Sequence, residues 1–176
     1  MSLYSVVISP PEEIINEVAA MKQQLKNSIG RYPSCNSLAH ITFNVFIGNE
    51  ETLQRWERFV GNFVMSLLPM QLHFDKTGYF GNGAFFIAPD ENSKIELVKV
   101  MKNFHKQFPA PAHGKSKEPH ISIGRQLNEE QLAIAKELFP AANLSFTCDN
   151  LVIRKFNEER KQYDIYKWFD FPQGLY

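Results

Sequence analysis

Cysteine is scarce. The 176-residue chain has two, Cys35 and Cys148, far apart and in no Cys-x-x-Cys pair. That leaves no disulfide framework and suits a reducing compartment. Charge of either sign is not in excess either: 19 Lys plus Arg face 19 Asp plus Glu. An extended nucleic-acid surface needs many cations to displace counterions, so none is expected. Recognition of one phosphate or one RNA end stays open. No apolar run approaches the ~20 residues that span a bilayer, and no leader-like segment precedes the first strand. Low-complexity tracts and flexible linkers are missing too. The expectation is a cytoplasmic protein, a monomer without membrane contact, with residues 1–176 forming one domain.

What the chain does have is core material: 44% hydrophobic residues and 15 Phe. Residues 3–9 read as a strand closed by Pro10-Pro11. Ile14, Ile15, Val18, Met21 and Leu25 recur at three- and four-residue steps, so 12–29 is a helix, ended by Gly30. A polar loop, Arg31 to Ser37, leads to a strand at 39–47 and a helix at 50–68. Strands 70–80 and 84–88 meet at Gly81-Asn82-Gly83, a hairpin signal. A helix starting at Asn92-Ser93 runs through Ile95, Val98, Met101, Phe104 and Phe108. The loop Pro109 to Pro119, a strand at 120–125, a helix at 128–138 and strands at 144–156 and 162–171 complete the order. Alternating strands and helices with added hairpins make the class α+β with antiparallel sheets.

One repeat stands out. A polar loop runs into a strand that opens His-apolar-Ser/Thr-apolar, and this happens twice, 80 residues apart: His40-Ile41-Thr42-Phe43 and His120-Ile121-Ser122-Ile123. Composition alone would give about 0.08 such matches. Residues i and i+2 of a strand share a face. His40 and Thr42 therefore project together, as do His120 and Ser122, while the apolar pair of each motif turns to the core. Opening a cyclic phosphodiester needs a base for water and an acid for the departing oxygen, and imidazole serves as either near neutral pH. The two hydroxyls can donate to the phosphate oxygens.

The arrangement resembles the two-histidine (2H) phosphoesterase superfamily, above all its 2′-5′ RNA ligase (LigT-like) branch. Phe46-Ile47-Gly48 follows the first motif. The pair Thr77-Gly78-Tyr79-Phe80 and Ala84-Phe85-Phe86-Ile87 looks like that branch's Gly-x-Phe strands. Pro119 precedes the second histidine and Gly124-Arg125 follows the motif. Tyr163 and Phe169-Asp170-Phe171 also fit, and Ser122 stands where Thr is commoner. The resemblance implies a bilobal fold, two pseudo-symmetric lobes with antiparallel sheets around a central cleft and helices outside. It implies hydrolysis or reversible formation of a 2′,3′-cyclic or 2′,5′ phosphodiester in a small nucleotide or RNA end, without metal or other cofactor. His40 and His120 would be the acid/base pair, with Thr42 and Ser122 on the phosphate.

Other residues carry weaker signals. Arg125 lies at an odd offset from His120, so strict alternation turns it away from the cleft unless Gly124 bends the strand. Lys115 and Lys117 could attract an anion or be plain solvated charges. Tyr79 and Phe80 could stack a base or pack a wall. His73, His105 and His113 have no partner pattern, and His105 reads as a surface residue. A zinc site needs three or four clustered ligands, which no spacing offers. Two other classes compete with the enzyme: a non-catalytic nucleotide- or RNA-end-binding module using the same cleft, and a metal hydrolase.

Overall fold

The computed structural model describes residues 1–107 and 112–174. Its elements in chain order are β1 (Ser2–Ile8), α1 (Glu12–Ile29), β2 (Ile41–Gly48), α2 (Glu50–Val64), β3 (Met70–Tyr79), β4 (Phe85–Pro89), α3 (Glu91–Lys106), β5 (Gly114–Lys115), β6 (Ile121–Gly124), α4 (Glu129–Leu138), β7 (Leu144–Cys148), β8 (Asn150–Asn157) and β9 (Gln162–Asp170). They build two antiparallel sheets, β5-β2-β1-β8-β9 and β6-β4-β3-β7. This is the expected bilobal α+β architecture. Asn49, Asp90 and Asn128 each cap a following helix by accepting a backbone N–H, the last in a capping box with Gln131.

The repeat extends well beyond four residues. β1-α1-β2-α2 and β4-α3-β6-α4 follow the same order. In each, the histidine strand pairs antiparallel with the strand before the helix. Each ladder also carries a bulge at the same place. Between β1 and β2, Val7 faces Thr42 and Val6 faces Asn44, so Phe43 is the extra residue. Between β4 and β6, Phe86 faces Ser122 and Phe85 faces Gly124, so Ile123 is the extra residue. A bulge bends its strand and re-aims the residues beyond it.

The lobes brace each other at these bulges. The end of α1 and Tyr32 lie against β6, and the Tyr32 hydroxyl donates to the Ile123 carbonyl at 3.1 Å. In return, His105 of α3 bonds through Nε2 to the Phe43 carbonyl at 2.9 Å. Phe104 beside it packs edge-on to Phe43 with ring centroids 5.3 Å apart, in a cluster with Trp56, Phe59 and Phe63 of α2. Aromatic burial of this kind dominates core energetics. His105 is therefore not the surface residue its helix position suggested; the N–H it contributes satisfies a bulge carbonyl.

Three further readings change. The single strand expected over 144–156 is two, β7 and β8, in different sheets. Asn150 fixes the break: its side chain accepts from the Ser9 N–H and donates to the Ser9 carbonyl, both at 3.0 Å. The loop before the second motif contains β5, which pairs with β2. The third helix starts at Glu91, because Asp90 caps it. Phe108, expected in that helix, lies outside the described residues, as does part of the following loop.

Candidate active site

Both motif histidines sit just before their strands, and both are held in the same way. His40 Nδ1 bonds to the Leu38 carbonyl at 2.6 Å, and His120 Nδ1 bonds to the Glu118 carbonyl at 2.7 Å. A carbonyl only accepts, so each Nδ1 carries the proton and each neutral ring keeps its lone pair on Nε2. One wall of the His120 site is aromatic, with Phe86 and Phe80 centroids 5.1 and 5.6 Å from the imidazole. Gly78 makes room for this: a Cβ there would lie 2.9 Å from the Phe86 ring.

Burial lowers the pKa of both imidazoles below the ordinary 6.5. His40 is pushed further, because the charges of Arg154, Lys22 and Arg125 add to its desolvation, against the Leu38 bond. At His120 the Glu118 carbonyl and carboxylate offset part of the burial, and Arg125 is the cation that opposes protonation. Arg125 thus acts on both imidazoles, one from each lobe. Its charge opposes protonation of each ring.

Gly124 ends β6 and pairs with Phe85, whose side chain is in the core; Arg125 follows the strand and is exposed, while Ser122 lies on the face opposite the core. Thr42 and Ser122 are half-buried on that face beside Val7 and Phe86. Tyr79 pairs with Phe85, and its exposed ring lies 3.5 Å from the Lys136 ammonium of α4. Phe80, the next residue, is the one against His120. Lys115 pairs with Asn44 through the backbone and its charge falls on His105; Lys117 is exposed.

Two cations escaped sequence reasoning. Lys22 is 3% exposed on α1, its ammonium donating to the Ser37 carbonyl and hydroxyl and, at 3.3 Å, to the Ser34 carbonyl. Burial lowers its pKa to about 8. It braces the loop whose Leu38 carbonyl orients His40. Arg154 on β8 is also buried, its Nε donating to Ser5 Oγ. Both left a trace in the sequence: Lys22 lies within the apolar stripe of α1, between Val18 and Leu25, and Arg154 directly follows the run Leu151-Val152-Ile153.

No carboxylate pairs with Lys22, Arg125 or Arg154 among the described residues. The field around the histidines is positive, as an anion site requires. A depression of about 730 Å³ elsewhere, lined by Glu12, Glu13 and Asp149 as well as Trp168, has the wrong sign for phosphate and contains neither histidine. Among the described residues no three His, Cys, Asp or Glu side chains gather as metal ligands, and no helix is long and apolar enough to cross a membrane.

Comparison with known proteins agrees with this fold. A family model described as the 2′-5′ RNA ligase superfamily matches residues 10–160. No curated protein matches the sequence. Among solved structures, TT0787 of Thermus thermophilus superposes with a TM-score of 0.69 at 16% identity, covering 97% of this chain and 98% of the other. E. coli LigT complexed with phosphate gives 0.68 at 13% identity, with 98% of each chain covered. Kluyveromyces marxianus Usb1 gives 0.53 at 14%, covering 86% and 93%.

Proposed function

Since the chain belongs to the 2′-5′ RNA ligase superfamily, we propose that it is a metal-independent phosphoesterase that hydrolyses, or reversibly forms, a 2′,3′-cyclic or 2′,5′ phosphodiester in a small nucleotide or RNA end. The observation that carries this reading is the matched pair of imidazoles, each pinned at Nδ1 by a backbone carbonyl two residues upstream. Binding alone does not need two oriented Nε2 atoms. E. coli LigT has been crystallised with phosphate and with 3′-AMP, which suits a nucleotide site in this fold.

The tautomers decide the proton traffic. With Nδ1 occupied, an imidazole can act as an acid at Nε2 only as imidazolium. Both pKa values are low in the free protein, so the incoming phosphate must supply the charge that protonates one ring. His120 is the easier to protonate, since three cations oppose His40. His40 is then the base. Its Nε2 takes a proton from water as the oxygen attacks phosphorus, the bond to the ribose oxygen opposite breaks, and His120 Nε2–H protonates that oxygen. Thr42, Ser122 and Arg125 donate to the non-bridging oxygens, where charge must be held. His40 ends protonated and His120 neutral, and exchange with solvent restores both.

The test is incubation with 2′,3′-cyclic nucleotides and a 2′,5′-linked dinucleotide in the presence of a chelator, with products separated by chromatography. A phosphomonoester or cleaved dinucleotide at undiminished rate is expected. Turnover that appears only with an added divalent ion would point to a metal hydrolase. Tight binding of nucleotide with no product would leave only the binding module.

A further inference from the structure

Arg154 has no anion to match its burial. It is 8% exposed and follows the buried apolar run Leu151-Val152-Ile153 of β8. Its Nε donates to Ser5 Oγ at 3.1 Å, and the guanidinium lies 4.8 Å from the Tyr163 ring centroid. These contacts offset part of the desolvation cost but supply no counter-charge, and the planar guanidinium is the group best suited to phosphate.

The sheet register gives its place. Thr42 faces Val7, and Ser5 is two residues along β1 on the same face. Arg154 faces Ser5 from β8. Arg154 thus shares a face with Thr42, but two strands across and two residues along, about 12 Å between backbones. It stands to one side of the point between the motifs. The charges agree: those of Arg154 and Lys22 bear on His40 and not on His120, whereas that of Arg125 bears on both. Lys22 spends its hydrogen bonds on the loop, so it adds charge and not a contact.

We propose that Arg154 and Tyr163 form a second anion subsite on the first lobe's wall, with Ser5 fixing the guanidinium, and that the preferred substrate is a cyclic phosphodiester carrying a second phosphate. The subsite rests on the phosphoesterase reading only for what happens at the first phosphate. Arg125 serves the reacting group, and Arg154 receives the other one.

Calorimetric titration separates the two claims, because it needs no turnover. The probes are adenosine 2′-monophosphate and adenosine 2′,5′-bisphosphate. Wild-type protein should bind the bisphosphate at least tenfold more tightly. Arg154→Met should cost the bisphosphate tenfold to a hundredfold more than it costs the monophosphate, and Arg154→Lys, which keeps the charge, should retain part of the gain. Equal losses for both probes would put Arg154 on the reacting phosphate and overturn the proposal. So would equal wild-type affinities, which are read without any variant and hence without concern for its folding. If the bisphosphate preference appears but no cyclic phosphodiester is turned over, the subsite stands and the enzymatic reading falls.

Discussion

Anion binding should draw a proton from solvent. In the free protein both Nε2 atoms are bare and both imidazoles titrate below 6.5. At pH 7 a group titrating at 6.5 is about one-quarter protonated, and these are less so. A single negative charge about 4 Å from an imidazole contributes roughly 4 kcal/mol at an effective dielectric of about 20. That equals a rise of about 3 pH units, which favours protonation of an imidazole that is neutral in the free protein. Sulfate is the clean probe, because it does not itself titrate near pH 7. Calorimetric titration at pH 7 in buffers of different ionisation enthalpy should show net proton uptake on sulfate binding. His120→Asn should remove at least half of it, because the cations beside His40 resist protonation there. Zero uptake, or release, would refute the assignment of neutral, Nδ1-protonated histidines. Uptake unchanged in His120→Asn would refute the choice of His120 as the acid.

Stability should fall as pH drops below 6.5, because the unfolded chain then binds protons at His40 and His120 that the folded one does not. The loss is at most about 1.4 kcal/mol per pH unit per histidine. His73, raised by Asn143 and Asp90 but open to solvent, opposes this weakly; urea midpoints at pH 5 and pH 7 that agree would contradict the burial argument. Tyr32→Phe removes the brace on the Ile123 carbonyl and should cost about 1–3 kcal/mol by leaving a buried acceptor unpaired. Turnover should fall with it, and a denaturation midpoint at the wild-type value would show the brace to be idle. Gly78→Ala forces the Phe86 ring away from its 2.9 Å approach; a several-fold loss of turnover should follow, with the His120 imidazole resonances shifted in NMR and those of His40 unmoved.

Much of this was legible in the sequence because it followed period and repetition. Strand alternation put His40 with Thr42 and His120 with Ser122, and the 80-residue repeat implied two lobes. What alternation could not show is where it breaks. The bulges at Phe43 and Ile123 leave no compositional mark, yet each shifts the register within its motif. The hairpin register that pairs Tyr79 with Phe85 was equally invisible in composition. The turn from alternating burial in β7 to continuous burial in β8 marks the change of sheet, but apolar residues flank it on both sides. Lys22 and Arg154 were readable only as a cation in an apolar stripe and another at the end of an apolar run. Their meaning depends on having no carboxylate nearby, which is a property of the fold.

The most direct test of the central claim is turnover of a 2′,3′-cyclic nucleotide in a chelator by wild-type protein, His40→Ala and His120→Ala, with folding checked by circular dichroism. Each folded variant should lose about 10²–10⁴-fold in kcat. Either variant retaining wild-type turnover would contradict two-histidine acid/base catalysis.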